Sequence, residues 1–294
     1  MTTNTHASAN SSASANADAD ASARASASAS ANTTITPPAP PPTRTVLVTG
    51  GGRGIGEATS WWCAQQGWAV AVNYTNGTAA AQSMVARIRA AGGCALALQA
   101  DVADESQVLA MFELLDAEVR AGRLPPLRAL VNNAGVVDRQ ARVDEMSVAR
   151  LQRMFAVNVI GSMVCAREAV KRLSTKHGGA GGVIVNLSSA AARLGAPGQY
   201  VDYATAKGAI DVFTLGLAKE VALEGIRVNA VRPGIIATDI HASGGQPDRA
   251  AQLAPQVPMQ RPGSAEEVAQ AIGWLLSDAS SYTTGAVIDV TGGR

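Results

Sequence analysis

The chain carries the run Thr45-Val46-Leu47-Val48-Thr49-Gly50-Gly51-Gly52-Arg53-Gly54-Ile55-Gly56. Its first four residues are aliphatic or β-branched, as in a short buried strand, and a helical pattern from Glu57 to Gln66 follows the glycines. In the order strand, glycine-rich turn and helix, the glycines let the backbone approach a phosphate, and the helix N-terminus offers free N–H groups. The run therefore predicts a dinucleotide phosphate site, whereas a glycine-rich turn without such neighbours would indicate only a flexible loop.

The rest of the chain alternates predicted strands and helices. We expect strands near residues 45–49, 69–74, 94–99, 128–132, 182–188, 226–231 and 286–290. Helical patterns cover residues 54–66, 78–91, 104–120, 148–176, 203–224 and 265–277. This alternation predicts an α/β fold, a doubly wound parallel sheet of the Rossmann type with helices on both faces. We expect residues 44–294 to form it as a single domain.

Residues 1–43 have a different composition. They are mostly Ala, Ser, Asn and Thr, and they end in a proline-rich run at 37–42. The tail has too few large apolar groups for their burial to compensate for the loss of chain entropy on folding. We therefore predict a disordered tail with an extended proline spacer. The tail has no apolar core of a secretory signal, and only Arg24 and His6 are basic before Arg44. An organellar transit peptide is therefore disfavoured, and a cytoplasmic location is expected.

Composition excludes several classes of protein. The 294 residues carry a net charge of +1 and are 47% hydrophobic, which suits an α/β domain with a full core. The near-neutral charge argues against a nucleic-acid partner. No apolar run approaches the ~20 residues of a membrane span. Cys63, Cys94 and Cys165 lack a metal-ligand spacing and are predicted to be reduced core thiols, so no metal is expected.

Tyr203 and Lys207 form the most informative pair of polar residues. They are four residues apart in a predicted helix and therefore share one face of it. A positive charge beside a phenol favours the phenolate, so we expect Lys207 to lower the pKa of Tyr203. Tyr203 could then exchange a proton with a carbonyl or alcohol oxygen. Taken alone, the pair also fits a half-buried tyrosine beside a solvated lysine.

Further segments of the chain support a catalytic interpretation of this pair. They are Thr49-Gly50 with Gly54 and Gly56, Asn132-Asn133-Ala134-Gly135, Asn158 within Phe155-Ala156-Val157-Asn158-Val159, Asn186-Leu187-Ser188-Ser189, Tyr203 with Lys207, and Arg232-Pro233-Gly234. In this order they resemble the motifs of the short-chain dehydrogenase/reductase (SDR) family over residues 45–294. The resemblance implies a catalytic set of Asn158, Ser189, Tyr203 and Lys207. Ser189 lies one residue further from Tyr203 than is usual, and Ser188 is the alternative. Because neighbouring side chains of a strand point to opposite faces, only one of these serines should face the site.

The resemblance also implies a set of cofactor-binding residues. They are Thr49, Gly50, Arg53, Gly54, Ile55, Gly56, Asp101, Val102, Asn132, Ala134, Gly135, Tyr203, Lys207, Pro233, Gly234, Ile236 and Thr238. The second strand ends without the acidic residue that holds the ribose 2′-hydroxyl of NAD. Arg53 could instead hold the 2′-phosphate of NADP, so NADP is favoured. NAD remains the alternative, because Thr75 stands where relatives often place a second basic residue.

The expected activity is transfer of a hydride between a nicotinamide cofactor and a small-molecule carbonyl or secondary alcohol. Tyr203 exchanges the proton, Ser189 binds the reacting oxygen, Lys207 also holds the ribose, and Asn158 positions a water. A sugar dehydrogenase and a 3-oxoacyl-thioester reductase are the alternative enzymes. A non-enzymatic dinucleotide sensor is a further alternative, but such a protein would not need the proton donor. Residues 236–262 are expected to form a lid, and Arg193 is more readily a surface residue than an anion ligand.

Two long helices should take part in assembly. The predicted helices at 148–176 and 203–224 are apolar on more than one face, which is more than packing on one sheet requires. Because SDR proteins commonly associate through these helices, a homotetramer, or at least a homodimer, is expected.

Overall fold

The computed structural model describes residues 41–240 and 244–294. The predicted tail at residues 1–43 therefore lies almost wholly outside the described residues. Within the described part, seven strands form one parallel sheet in the order β3-β2-β1-β4-β5-β6-β7. The strands are β1 (Thr45–Val48), β2 (Ala69–Tyr74), β3 (Ala95–Gln99), β4 (Leu127–Asn132), β5 (Gly182–Leu187), β6 (Ile226–Pro233) and β7 (Val287–Val290). The strand order reverses between β1 and β4, which confirms the predicted doubly wound sheet.

Helices cover both faces of this sheet. They are α1 (Gly54–Gln65), α2 (Thr78–Ala90), α3 (Glu105–Arg120), α4 (Val148–Phe155), α5 (Ser162–Leu173), α6 (Ala191–Leu194), α7 (Val201–Val221), α8 (Arg249–Leu253) and α9 (Ala265–Leu276). One apolar core joins α3, α5 and α7 to the sheet, and the other joins α1, α2 and α9 to the opposite face. The strands read as nearly continuous apolar runs because both of their faces are buried.

The predicted helical pattern at 148–176 is confirmed from Val148 to Leu173, but the helix contains a π-helical turn that was not predicted. The chain forms α4, then a π-helical turn at Ala156–Gly161, and then α5. The turn contains Asn158, which is fully buried and bonds to a neighbouring loop. It ends at Gly161, whose Cα lies so close to the carbonyl oxygen of Val102 that an added Cβ would clash with it at 2.6 Å. These two contacts coincide with the wider turn, and π turns of this kind often occur at functional sites.

Three smaller differences concern the other predictions. The helix that carries Tyr203 begins at Val201, two residues before the predicted start. The lid segment contains the short helix α8 and a 3₁₀ turn at Ala254–Gln256, with residues 241–243 outside the description. Cys63 and Cys165 are buried as predicted, whereas Cys94 is only partly buried. In the described part of the chain, no helix combines the length and apolar character needed to cross a membrane.

Candidate active site

The glycine turn after β1 is shaped by close backbone contacts. Gly50 and Gly54 have φ values of +61° and +55°, which glycine adopts without the strain a side chain would bring. A Cβ on Gly56 would clash with the carbonyl oxygen of Gly50. The turn therefore lies flat against the first turn of α1.

Two buried side chains, Thr49 and Asn73, and the partly buried Asn133 hold the glycine turn in place. The Thr49 hydroxyl accepts hydrogen bonds from the backbone N–H groups of Asn133 (2.9 Å) and Ala134 (3.0 Å). The Asn133 amide donates to the carbonyl oxygens of Thr49 (2.8 Å) and Gly50 (3.1 Å). Asn73 accepts from the N–H of Gly50 (3.2 Å). The loops after β1 and β4 are thus locked together on both sides of the point where the strand order reverses.

The N-terminus of α1 is open to a phosphate group. No side chain caps this helix end, and its acidic residue in the first turn, Glu57, lies on the helix rather than at the cap. Uncapped N–H groups and the positive end of the helix dipole suit an anion. Thr238 approaches from the other side, since a Cβ on Gly54 would lie 3.4 Å from its methyl group. The space between them fits the pyrophosphate of a dinucleotide.

Two cavities flank this turn. The smaller one, here called the Asp101 cavity, has a volume of about 220 Å³. Among its lining residues are Gly50, Arg53, Asp101, Val102, Ala134 and Gly135. The larger one, here called the Tyr203 cavity, has a volume of about 440 Å³. Among its lining residues are Ile55, Gly135, Ser189, Tyr203, Lys207, Pro233, Gly234, Ile236 and Thr238. Gly135 lines both, so the two cavities lie next to each other on either side of the loop after β4.

Ser189 and Ser188 have different surroundings. The Ser189 hydroxyl accepts from the N–H of Ala191 (3.1 Å) and forms a hydrogen bond that lowers the pKa of Tyr203. The Ser188 hydroxyl is buried and donates to the carbonyl oxygen of Lys207 (3.2 Å), on the backbone of α7. Ser189 is therefore the serine that contacts the Tyr203 side chain.

The expected lowering of the Tyr203 pKa is not what the structure gives. Burial raises the pKa of Tyr203 to about 12, and the hydrogen bond with Ser189 opposes this only in part. Burial likewise lowers the pKa of Lys207 to about 8, against the nearby Asp211 carboxylate, which acts to raise it. The Lys207 Nζ lies 5.6 Å from the centroid of the Tyr203 ring and donates to the carbonyl oxygen of Leu187 (2.7 Å). At Tyr203 desolvation outweighs the hydrogen bond with Ser189, and at Lys207 it outweighs the charge of Asp211.

Asn158 acts through the loop after β4. Its amide nitrogen donates to the carbonyl oxygens of Val136 and Met154, both at 3.0 Å, and its oxygen accepts from the N–H of Val136 (3.2 Å). With these bonds both of its N–H groups are used, so the side chain does not reach the Tyr203 cavity. The same oxygen would clash with a Cβ on Gly135, whose Cα is also close to the Lys207 Nζ. Asn158 thus fixes the loop that separates the two cavities.

The predicted cofactor residues fall into two groups. Most line one of the two cavities, but Thr49, Gly54, Gly56 and Asn132 line neither. Asn132 is buried and donates to the carbonyl oxygen of Ser162 (3.0 Å) and to the side-chain oxygen of Asn186 (2.9 Å), and its assignment to the cofactor stays a prediction. The prediction missed Asn133, which pins the turn, and Arg153, which lines the Asp101 cavity. Arg153 follows no motif, and only the fold brings it beside the glycine turn.

Comparison with known proteins agrees with this geometry. A family sequence profile described as "Enoyl-(Acyl carrier protein) reductase" matches residues 50–294. The chain belongs to the short-chain dehydrogenase/reductase family. It is therefore an SDR enzyme, and proteins of this family bind NAD or NADP.

Three SDR proteins illustrate the similarity. The oxidoreductase YgfF of Escherichia coli K12 is 56% identical over 248 residues, which is 84% of this chain and 98% of YgfF. An NADPH-dependent aldehyde reductase-like chloroplastic protein of Arabidopsis thaliana is 35% identical over 257 residues, covering 84% of this chain and 92% of its own. The crystal structure of a putative gluconate dehydrogenase from Agrobacterium tumefaciens matches with a TM-score of 0.77 and 33% identity, over 86% of this chain and 96% of its own.

Proposed function

We propose that this SDR enzyme reduces the carbonyl group of a small molecule with NADPH, or oxidises the corresponding secondary alcohol. The observation that carries the proposal is the Tyr203 cavity. It brings the Tyr203 phenol, the Ser189 hydroxyl and the buried Lys207 ammonium to one space beside an uncapped helix N-terminus. A proton donor next to a dinucleotide cleft is what carbonyl reduction requires.

The chain supplies proton transfer and charge stabilisation. When bound, the dinucleotide supplies the hydride. Burial raises the pKa of Tyr203 to about 12, so at neutral pH the phenol carries the proton that a reduction transfers to the carbonyl oxygen. Ser189 hydrogen-bonds the same oxygen and stabilises the charge that develops there. The Lys207 ammonium stabilises the phenolate left on Tyr203, while Asn158 holds the loop beside it.

Two arginines support NADP over NAD. Arg53 and Arg153 both line the Asp101 cavity, where the adenosine half of the cofactor would lie. The Arg53 guanidinium extends over Gly77, in the loop after β2, because a Cβ on that glycine would lie 3.7 Å from the Arg53 Nε. Guanidinium groups bind phosphates through charge-assisted hydrogen bonds. The position where Thr75 stands thus need not be basic, since Arg153 can supply the second charge.

Two alternative substrates fit the same chemistry. A sugar or sugar-acid dehydrogenase is supported by the similarity to a putative gluconate dehydrogenase. A 3-oxoacyl-thioester reductase is supported by the acyl carrier protein in the description of the matching profile. A dinucleotide sensor without activity would have no use for the contact between Ser189 and Tyr203.

Incubating the purified protein with NADPH or NADH and a panel of substrates tests the proposal. The panel holds aldehydes, ketones, a 3-oxoacyl thioester, an enoyl thioester and, with the oxidised cofactors, aldonic acids. We expect absorbance at the nicotinamide band to fall with at least one carbonyl compound, faster with NADPH than with NADH. Tight cofactor binding without turnover of any compound would favour the sensor.

The proposal includes a homotetramer, or at least a homodimer, in the cytoplasm. On α7, the predicted inner positions Ala204, Ile210 and Val221 are buried, whereas Val212 and Leu215 are 70% and 45% exposed. Ile160 and Met163, at the start of α5, are likewise exposed. These apolar side chains extend beyond what packing on the sheet uses, as an interface between subunits requires.

A further inference from the structure

Arg249, the first residue of α8, lines the Tyr203 cavity. Its guanidinium donates to the side-chain oxygens of Gln246 (2.9 Å) and Gln199 (2.7 Å). The guanidinium carbon also lies 5.1 Å from the centroid of the Tyr200 ring. All three partners are neutral, and no carboxylate in the described part of the chain pairs with Arg249. Its positive charge is held in place without being compensated.

The charged side chains that line the Tyr203 cavity are all positive, like that of Arg249. The described residues that line it include Lys207, Arg249 and Arg294 but neither aspartate nor glutamate. Lys207 is already committed to Tyr203 and to the carbonyl oxygen of Leu187. The phosphates of a dinucleotide would lie at the glycine turn, on the other side of Gly135. The charge of Arg249 is therefore available to a second anion.

Arg193, in the same region, is an arginine whose charge is compensated by a carboxylate. It is on α6, next to cavity-lining residues, but its guanidinium pairs with the Asp289 carboxylate at 2.6 Å. Its side chain is 61% exposed, and it lines a different cavity. Exposure and the ion pair agree with the expectation that Arg193 is a surface residue rather than an anion ligand.

The position of Arg249 relates the anion to the reacting group. Tyr200, against which Arg249 lies, immediately precedes α7, and Tyr203 lies in its first turn. Arg249 and Tyr203 also line the same cavity, whose volume is about 440 Å³. An anion on Arg249 would thus be a short distance from a carbonyl at Tyr203, as in a compact oxo acid.

We propose that Arg249 determines substrate specificity by binding an oxyanion group, a carboxylate or a phosphate, at the end of the substrate remote from the reacting carbonyl. This inference rests on the proposed carbonyl reduction at Tyr203. The substrates are then short oxo acids or phosphorylated carbonyl compounds, together with the corresponding hydroxy compounds. Gln199 and Gln246 hold the guanidinium in position while leaving its charge intact.

Matched pairs of substrates test the proposal on the full-length protein with NADPH. Acetoacetate is compared with methyl acetoacetate, and dihydroxyacetone phosphate with dihydroxyacetone. We expect the wild-type kcat/KM to favour at least one anionic member by about 10-fold or more, as expected of a charge-assisted hydrogen bond. The pair that shows the preference tells a carboxylate from a phosphate.

The Arg249→Gln variant should lose that preference by about 10- to 100-fold, mainly through KM, with the neutral member changed by less than about 3-fold. Arg249→Lys should keep part of it, because the charge remains. Arg193→Gln is the matched control and should keep the wild-type preference. Raising the salt concentration should also weaken the wild-type preference, which gives a test that does not depend on any variant.

The proposal is overturned if the wild type turns over the neutral members at least as well as the anionic ones. It is also overturned if Arg249→Gln lowers activity on both members of a pair equally, since that result indicates a structural role in the lid. If the wild type reduces a neutral carbonyl compound of the wider panel but no anionic member of these pairs, this inference alone is overturned. If it reduces no carbonyl compound at all, the proposed carbonyl reduction is overturned, and this inference with it.

Discussion

Replacing Arg53 by alanine should change the cofactor preference without abolishing cofactor binding. Arg53 is exposed at the end of the glycine turn, and its guanidinium extends over the loop after β2. A hydrogen bond to a charged group contributes about 1.5–3 kcal/mol, and screening at an exposed site reduces this to about 1–2 kcal/mol. At 1.4 kcal/mol per factor of ten, NADPH should bind roughly 5- to 30-fold more weakly to the variant. NADH lacks the 2′-phosphate, so its affinity should change by less than about twofold.

Fluorescence titration of the purified variant with each cofactor measures both dissociation constants without a substrate. Arg142→Ala is a suitable control. Arg142 is an exposed arginine whose guanidinium pairs with Asp144, and it immediately precedes the short turn at Val143–Glu145. Arg153→Ala should act in the same direction as Arg53→Ala. An equal loss of affinity for NADPH and NADH would refute the reasoning, because it would indicate a general disturbance of the glycine turn.

Three further predictions concern the loop, the lysine and the assembly. Asn158→Ala removes three hydrogen bonds and should lower the free energy of unfolding by about 2–4 kcal/mol. The melting temperature should therefore fall by roughly 5–15 °C. An unchanged melting curve would contradict the role of Asn158 in holding the loop. The kcat/KM for carbonyl reduction should fall above about pH 8, where Lys207 loses its proton. The Lys207→Arg variant should show this fall only beyond about pH 10, because arginine keeps its charge. A wild-type profile that stays flat to about pH 10 would show that the ammonium is not needed. Light scattering at micromolar concentration should give four chains, or two at least, and Val212→Asp should reduce this number; a monomeric wild type would disprove the interface.

The fold could be predicted from sequence because its signals are local. Each strand is a stretch of four to eight mostly apolar residues, and the glycines after β1 leave few alternatives to a strand, a turn and a helix. The predicted strand ends agree with the structure to within about two residues, as is usual for element boundaries. The π-helical turn between α4 and α5 could not be predicted, because the contacts that accompany it, such as the hydrogen bond from Asn158 to Val136, join residues 22 positions apart in the chain.

The candidate site was predicted only where a motif marks it. Tyr203, Lys207 and Ser189 stand in recognisable positions, and the structure brings them to one cavity. The pKa directions of Tyr203 and Lys207 could not be deduced, because they depend on burial and not on sequence spacing. Arg249 was missed for a similar reason, since it follows Tyr203 by 46 residues and reaches the cavity only through the folded lid segment.

Steady-state kinetics of Tyr203→Phe test the central claim most directly. The change removes the hydroxyl that contacts Ser189 but keeps the ring and its packing near Lys207. We predict that kcat/KM for carbonyl reduction falls by about 10²–10⁴-fold, with an unchanged melting temperature and a dissociation constant for NADPH within about twofold of wild type. Tyr282→Phe is the matched control, because Tyr282 is fully exposed to solvent and should tolerate the change. A Tyr203→Phe variant that folds, binds NADPH and retains wild-type turnover would contradict the assignment of Tyr203 as the proton donor.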